Sequence, residues 1–310
     1  MSRVLVLGGS GMLGSMIVDW LARDPSLEVG ATVRDQRYLE HRRALLPEVQ
    51  WCLLDAEDNS SAKALSVLEG CDWIINAIGV IKPFIHEDNP LEVERAIRVN
   101  ALFPHCLARR AREAGARVLQ IATDCVYSGR EGRYNEDAPH DPMDVYGKTK
   151  SLGEARSDSV FHLRCSIIGP EPKNHLSLLD WFLRQPSGAK VTGFTNHRWN
   201  GVTTLHFARI CQGIIKTDLK LPYLHHVIPG GEITKAGMLE EFAGKYGRED
   251  IEITHSEAAN VIDRTLSSRN EILNRSIWEA AGFHQPPGIP DMIAEMRSFD
   301  FRLASLEGPI

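Results

Sequence analysis

The sequence contains no run of basic residues. Its 35 lysines and arginines are scattered among 41 acidic residues, and the 310-residue chain carries a net charge of −6. A nucleic-acid-binding protein usually carries a basic patch or a strongly basic domain. We therefore exclude nucleic acid as a partner.

Cysteine is scarce and widely spaced. The six cysteines lie far apart in the sequence, and none belongs to a CxxC pair. Zinc sites and secreted disulfide frameworks depend on closely spaced or paired cysteines. The sequence thus predicts neither a metal site nor a disulfide framework, and only Cys125 enters the functional argument below.

Long apolar runs are absent as well. The apolar run in MSRVLVLGGSG is shorter than the core of a signal peptide, and no stretch approaches the ~20 residues that span a bilayer. We expect a cytoplasmic protein with no membrane partner. A monomer and a homodimer both stay open.

Short apolar runs alternate with helical patterns through the first half of the chain. RVLVLG, LEVGATV, VQWCLLD, CDWIINAIGV and ARVLQIA are typical of strands, and a long helix is predicted from about Pro90 to Ala114. Continuous apolar strands separated by helices indicate a parallel sheet that is covered on both faces. The predicted fold class is therefore α/β, with a doubly wound, Rossmann-like parallel sheet.

The regular alternation of strand and helix patterns ends after VFHLRCSIIGP, where glycine and proline become frequent. We predict that residues 1–170 form an NADP-binding Rossmann domain and that a segment near 198–229 returns to it. Residues 171–197 and 230–310 are predicted to form a smaller C-terminal α/β lobe that binds the substrate.

A glycine-rich turn, GGSGMLG, follows the first strand and opens a helix. Its glycines fit both a GxxGxxG and a GxGxxG spacing. Without side chains, the chain can turn tightly and a pyrophosphate can approach the helix N-terminus. The motif predicts a dinucleotide site that contains Gly8, Ser10, Gly11, Met12, Leu13 and Gly14.

The end of the second strand distinguishes NADP from NAD, because the adenosine ribose lies there. Arg34, in ATVRDQR, stands where a carboxylate would bind the ribose 2′-OH, and a guanidinium suits a 2′-phosphate. NADP is therefore favoured over NAD. In the alternative interpretation Arg34 is a solvated charge and Asp35 binds the ribose.

Two further segments lie at the predicted carboxyl edge of the sheet, where ligands bind in such folds. Asp55 ends WCLLD and is interpreted either as an adenine contact or as a loop cap. The segment NAIG ends the fourth strand and adds Ala77, Ile78 and Gly79 to the predicted cofactor site.

A tyrosine and a lysine lie one helical turn apart in DVYGKTK. Tyr146 and Lys150 share a helix face, and Asp144 is available as the N-cap. A tyrosine with an ordinary pKa near 10 is a poor acid–base group at neutral pH, and a neighbouring ammonium stabilises its phenolate. This spacing is common on ordinary helices, but here it follows a glycine-rich turn and the segment IATDCVYSG. The combination predicts that Tyr146 is a proton donor.

Together these motifs resemble those of the extended short-chain dehydrogenase/reductase family, over nearly the whole chain. Within it, TDCVYSG, VYGKTKSLGE, LRCSIIG and HRWNGVTTL are most similar to dTDP-4-dehydrorhamnose reductases and related sugar-nucleotide reductases. The resemblance implies that Thr123 bonds the substrate carbonyl and Tyr146 donates the proton. It also implies that Lys150 binds the nicotinamide ribose and lowers the tyrosine pKa.

The resemblance implies further roles. Asn100, in RVNALFP, matches a family segment and is either a helix-packing residue or part of a solvent relay. The nucleotide end of the substrate would lie on the smaller lobe, although salt bridging is the alternative for the arginines there. The candidates are Arg164, Arg198, Trp199 and Asn200.

The implied activity is hydride transfer from NADPH to a nucleotide-linked 4-keto-6-deoxy sugar, in deoxysugar or surface-polysaccharide biosynthesis. Related 4,6-dehydratases carry a glutamate where this chain has Cys125, which disfavours dehydration. One alternative is a non-catalytic, nucleotide-binding regulatory subunit similar to that of methionine adenosyltransferase. The other is a bifunctional 3,5-epimerase/4-reductase similar to GDP-fucose synthase, in which Cys125 and His175 act as base and acid. That alternative needs a Cys125 thiolate with a lowered pKa.

Overall fold

A computed structural model describes residues 1–58 and 66–304 of the chain, so the last residues of the predicted lobe, 305–310, lie outside the described residues. The strands in chain order are β1 (Ser2–Leu7), β2 (Leu27–Val33), β3 (Gln50–Leu53), β4 (Trp73–Asn76), β5 (Arg117–Ala122), β6 (Val160–Arg164), β7 (Ile167–Ile168), β8 (Lys190–Phe194), β9 (Arg198–Trp199), β10 (Val202–Thr203), β11 (Leu224–His226), β12 (Ile233–Thr234) and β13 (Glu252–Ser256). The α-helices are α1 (Met12–Leu21), α2 (Gln36–Leu45), α3 (Pro90–Ala96), α4 (Phe103–Ala114), α5 (Val145–Leu152), α6 (Leu178–Leu183), α7 (Thr204–Thr217), α8 (Lys235–Tyr246), α9 (Glu271–Ala280) and α10 (Ile289–Ser298).

A parallel sheet forms the centre of the molecule. Among the described residues it has seven strands in the order β11-β6-β5-β4-β1-β2-β3, and every neighbouring pair runs parallel. Central positions such as Val6, Ile74 and Leu119 are almost completely buried, because helices cover both faces. The predicted α/β, doubly wound fold is confirmed.

The strand order reverses between β1 and β4, since the chain moves outward from β1 to β3 and then returns to β4. In open α/β sheets a ligand crevice forms at such a switch point, beyond the carboxyl ends of the strands. Gly8 follows β1 and Ala77 follows β4 at this edge. The fold therefore brings the glycine-rich turn and the NAIG segment together.

The predicted long helix from Pro90 to Ala114 contains a change of pitch. Helix α3 passes into a π-helical turn, Ile97–Leu102, before α4 begins. Asn100 lies in this wide turn. π-Helical turns often occur at functional sites, because they shift the side chains that follow them.

The second half of the chain contributes to both parts of the molecule. Helix α7 packs on α1, and β11 joins the large sheet beside β6. The remaining short strands form three two-stranded pairs, β7 with β10, β8 with β13, and β9 with β12. Helices α6, α8 and α10 pack around these pairs, which gives a smaller α/β lobe beside the sheet.

Residues 1–58 and 66–304 contain neither a candidate membrane-spanning helix nor a candidate metal cluster. No helix there combines the length and the apolar character that a bilayer crossing requires. No group of three or more His, Cys, Asp or Glu side chains there is arranged to hold a metal ion.

Candidate active site

The glycine-rich turn connects β1 to α1 at the switch point. Gly8 has a φ of +87°, a conformation that glycine adopts without strain. A Cβ on Gly14 would collide with the Gly8 carbonyl oxygen, so the helix packs on the turn only because position 14 has no side chain. Thr32 of β2 fixes the turn, since its hydroxyl accepts from the Gly8 N–H at 3.1 Å and its carbonyl accepts from the Gly9 N–H at 2.7 Å.

The first turn of α1 is open to an anion. Gly11 is the N-cap, and within the described residues no side chain caps its N–H groups. A Cβ on Gly11 would meet only the Gly8 carbonyl, at 3.5 Å. Free N–H groups at a helix N-terminus favour a phosphate. Ser10 and Leu13 are buried at this turn, and Met12 is half-buried.

Arg34 is exposed at the carboxyl end of β2. Its Nη1 lies 3.6 Å from Glu57 Oε1, and the side chain remains 56% exposed. Asp35 instead caps α2 through the Arg37 N–H at 2.9 Å, and its carboxylate pairs with the Arg37 guanidinium at 2.6 Å. These bonds hold the pKa of Asp35 at about 2. Of the two residues next to the predicted ribose position, Arg34 therefore has the side chain that is more available to a ligand.

Asp55 and the NAIG segment line the same edge. Asp55 is exposed, and its Oδ1 accepts from the Glu57 N–H at 2.9 Å, which is the loop-capping arrangement. Asn76 is fully buried and accepts from the Ile78 N–H at 3.1 Å. This bond shapes the turn in which Ala77 and Ile78 are half-buried and Gly79 is exposed.

Helix α5 brings Tyr146 to Thr123. Asp144 caps the helix by accepting from the Gly147 N–H at 2.7 Å, as predicted. A Cβ on Gly147 would collide with the Cys125 carbonyl oxygen, so glycine allows α5 to pack directly against the segment after β5. The Thr123 hydroxyl accepts from the Cys125 N–H at 3.2 Å, and it acts to lower the pKa of Tyr146.

Burial controls the protonation of the tyrosine and the lysine. It raises the pKa of Tyr146 well above its ordinary value, and the hydrogen bond from Thr123 only partly offsets this. Burial also lowers the pKa of Lys150 to about 8. The Lys150 ammonium donates to the Ile121 carbonyl at 3.2 Å, at the end of β5. At neutral pH, therefore, the phenol is protonated and the lysine is mostly cationic.

Asn100 ties this helix to the loop after β4. Its side-chain amide donates to the Val80 carbonyl at 2.9 Å and accepts from the Val80 N–H at 2.8 Å. It also donates to the Thr149 hydroxyl at 3.2 Å. Asn100 is only 1% exposed, so its geometry favours the packing role over the solvent relay.

Cys125 does not have the lowered pKa that the epimerase alternative requires. Burial, followed by the negative charge of Asp124, raises the pKa of Cys125 to about 11. A thiol with that pKa is neutral at physiological pH. His175 lies on the loop after β7 with a φ of +54°, and its Nδ1 is 3.5 Å from Asp180 Oδ1.

Arg164 is buried and bonds to several neighbouring side chains, so it is not open to a ligand. Its side chain is fully buried at the end of β6. The guanidinium lies 2.7 Å from the Tyr127 hydroxyl and 2.9 Å from each of the imidazoles of His226 and His140, and it pairs with the Glu154 carboxylate. This bonding favours a structural role for Arg164 over the predicted substrate contact.

The other three predicted substrate contacts differ in their exposure and bonding. Trp199 is 5% exposed and belongs to the main hydrophobic core. Asn200 bonds both backbone groups of Leu266, at 2.7 and 2.9 Å, and so joins two segments of the lobe. Arg198 is half exposed and pairs with Glu232 at 2.6 Å. Of the three, only Arg198 retains an exposed charged group.

The sequence analysis missed three cations near the predicted catalytic residues. Lys82 pairs with Asp144 at 2.7 Å, and its ammonium lies 5.9 Å from the centre of the Tyr146 ring. Arg264 and Lys235 come from the second half of the chain and act electrostatically on Cys125. No local motif marks them, because long-range packing brings them to the site.

The fold and the site together are those of an extended short-chain dehydrogenase/reductase. The chain belongs to the RmlD substrate binding domain family, whose model matches residues 2–296. The predicted family is thus confirmed.

Two relatives with known names match the chain in part. It is 32% identical over 165 residues to dTDP-4-dehydrorhamnose reductase of Streptomyces griseus, which covers 49% of this chain and 43% of that protein. It is 28% identical over 152 residues to methionine adenosyltransferase 2 subunit beta of Xenopus tropicalis, which covers 49% of this chain and 41% of that protein. The matched segments span less than half the length of these relatives.

The solved structures agree in fold over almost the whole chain. The structure of dTDP-4-dehydrorhamnose reductase from Bacillus anthracis, in complex with NADP, superposes with a TM-score of 0.72. It is 18% identical and covers 96% of this chain and 98% of that one. This similarity confirms the fold.

Proposed function

We propose that the protein uses NADPH to reduce the 4-keto group of a nucleotide-linked 6-deoxy sugar. The observation that carries the proposal is the packing of helix α5 on the segment after β5, which places Tyr146 and Lys150 on one helix next to Thr123–Cys125, with the Lys150 ammonium bonded to the Ile121 carbonyl. These groups lie beyond the carboxyl ends of the strands, in a sheet whose switch point carries the glycine-rich turn. A carbonyl reductase needs a carbonyl clamp, a proton donor and a dinucleotide site in this arrangement.

The residues present fit a nicotinamide dinucleotide. The uncapped start of α1 and the open side of Gly11 suit a pyrophosphate. The exposed Arg34 guanidinium suits a 2′-phosphate, which favours NADPH over NADH. When bound, NADPH would supply the hydride.

Tyr146 donates the proton, and Lys150 stabilises the phenolate that remains. The raised pKa of Tyr146 keeps the phenol protonated, so that it can donate to the oxygen of the reduced carbonyl. The Thr123 hydroxyl, next to that phenol, orients the same oxygen. Lys150, with a pKa of about 8, retains its charge at neutral pH and stabilises the phenolate that proton donation leaves. General acid catalysis of this kind contributes about 10²- to 10⁴-fold.

The cations around the site suit a nucleoside diphosphate. Lys82, Lys235 and Arg264 belong to separate segments, and all three act electrostatically on Cys125, two residues after Thr123, where Asp124 is the opposing charge. Diphosphates are recognised by such convergent cations through charge-assisted hydrogen bonds. A nucleotide-linked sugar therefore matches the charge of this region better than a free sugar does.

The direct test is NADPH oxidation by the purified protein with a panel of 4-keto-6-deoxy sugar nucleotides that differ in base and sugar. The control is the same panel with a 4-hydroxyl in place of the keto group. We expect oxidation only with keto compounds. Binding of NADPH without turnover on any member would contradict the proposal and would favour the regulatory-subunit alternative, in keeping with the methionine adenosyltransferase subunit among the relatives.

A further inference from the structure

The loop of residues 169–177, called the strap here, leaves β7 and contacts helix α2, which follows the predicted ribose position. Its contact there is with Tyr38 of α2, since the Lys173 ammonium lies 5.4 Å from the centre of the Tyr38 ring. Tyr38 is four residues after Arg34, one turn into the helix that follows the predicted ribose position. The smaller lobe thus supplies a cation to the adenosine end of the crevice.

The strap holds a defined shape. Glu171 accepts from the Leu176 and Ser177 N–H groups at 2.7 and 2.9 Å, while its own N–H donates to Asp180 at 2.6 Å. Asn174 and His175 both have positive φ angles, +64° and +54°. Non-glycine residues in this region are uncommon, and they often occur at ligand clamps. The tight turn directs Lys173 towards α2.

Positive charge exceeds negative charge where the strap meets α2. Glu57 already pairs with Arg34 at 3.6 Å and with Arg95 at 2.6 Å. Arg42, two turns along α2 from Arg34, is fully buried. Among the described residues no hydrogen bond or ion pair holds the Lys173 ammonium. Its pKa is lowered by burial and then by the positive charge of Arg34, Arg42 and Arg95, while Glu171 of the strap opposes this in part. An anion bound nearby would offset the remaining positive charge.

We propose that Lys173 joins Arg34 in binding the 2′-phosphate of NADPH, so that residues from both lobes determine the choice of cofactor. This inference rests on the proposed function only in requiring a nicotinamide dinucleotide at the crevice. A 2′-phosphate carries about two negative charges and accepts hydrogen bonds from several donors. Arg34 approaches it from the end of β2 and Lys173 from the strap, above Tyr38. Arg34 alone would leave one side of the phosphate to solvent.

The test compares dinucleotide affinities of the wild type, Lys173→Met and Arg34→Met, measured by calorimetry. Methionine keeps the apolar stem over Tyr38 and removes the charge. Lys220→Met is the matched control, because Lys220 is 86% exposed and pairs with Asp218. The probes are NADPH, NADH and 2′,5′-ADP, which carries the 2′-phosphate without the nicotinamide.

We expect Lys173→Met to weaken NADPH and 2′,5′-ADP binding by about tenfold, the loss of one charge-assisted contact, and to leave NADH binding within about twofold. Arg34→Met should act in the same direction, and Lys220→Met should match the wild type. An unchanged ratio of NADPH to NADH affinity in Lys173→Met overturns the inference and leaves the reductase proposal intact. A wild type that binds neither dinucleotide overturns both.

A measurement on the wild type alone avoids any folding defect of the variants. Hydrogen–deuterium exchange over residues 169–177 should slow on addition of NADPH or 2′,5′-ADP, and much less with NADH. Equal protection of the strap by NADPH and NADH would show that the 2′-phosphate does not contact it.

Discussion

The Asn100 carboxamide pairs with both backbone groups of Val80, donating to the carbonyl at 2.9 Å and accepting from the N–H at 2.8 Å. This pair imitates one rung of a β-ladder, but it joins a π-helical turn to the loop after β4. Since Asn100 also donates to Thr149 of α5, one side chain sets the distance between helix α5 and the loop after β4.

Replacing Asn100 with alanine should therefore destabilise the protein by about 2 kcal/mol, because two buried backbone groups lose their partners. Urea unfolding measures the effect, and Asn260→Ala, at an exposed position, is the control. Turnover should fall together with stability. Lost turnover at unchanged stability would instead assign Asn100 to a solvent relay.

Replacing Tyr146 with phenylalanine should lower turnover by at least about a hundredfold, since only the transferred proton is removed. Affinity for NADPH should stay within about twofold of the wild type. Tyr246→Phe, a tyrosine of α8 in the smaller lobe, serves as the control for loss of a hydroxyl. Wild-type turnover in Tyr146→Phe would remove this residue from the mechanism.

Lys150 gives stability a defined dependence on pH. Its pKa is about 8 in the folded protein and 10.5 ordinarily, so between these values the unfolded chain binds a proton that the folded protein has released. This group therefore makes stability rise with pH across that window. Below pH 8 the folded protein bears the cost of a buried charge.

Lys150→Met should consequently raise the free energy of unfolding at pH 7, on the order of 2 kcal/mol, and the gain should decline above pH 8 and vanish by about pH 11. The same change should abolish efficient reduction. Lys148→Met, on the exposed face of the same helix, should alter neither property. A gain that is equal at both pH values would mean that burial of charge is not its cause.

Cys125 should not act as a base. With a pKa of about 11, about one thiol in 10⁴ is ionised at pH 7. We expect reduction in D₂O to leave no deuterium at C3 or C5 of the sugar, as mass spectrometry would show, and we expect iodoacetamide to label Cys125 slowly. Deuterium at either carbon, diminished in Cys125→Ser and in His175→Asn, would restore the epimerase alternative.

The fold and the central site follow from local patterns in the sequence. The glycines at positions 8, 11 and 14 and the Tyr146–Lys150 spacing each lie within one turn-and-helix unit, so their geometry is set by near neighbours. The order of apolar strands likewise indicated the parallel sheet.

The remainder depends on contacts between distant segments. Arg164, predicted at the substrate, is enclosed by groups that come from positions 127 to 226. Lys173 and Lys235 are ordinary lysines in the sequence, and only the packing of the smaller lobe brings Lys173 to Tyr38 and Lys235 close to Asp124 and Cys125. A pattern within one segment carries no information about such partners.

The late addition of β11 has a consequence for synthesis of the chain. Strand β6 ends at residue 164, but its outer neighbour is β11, Leu224–His226. While the ribosome is still making the intervening residues, the N-terminal half can assemble a sheet whose β6 edge exposes unpaired N–H and C=O groups. Such edges pair readily with other chains. The nascent protein is therefore most prone to aggregation after β6 has been made and before β11 has been made. A fragment that ends near residue 170 lacks β11, so its β6 edge should stay exposed.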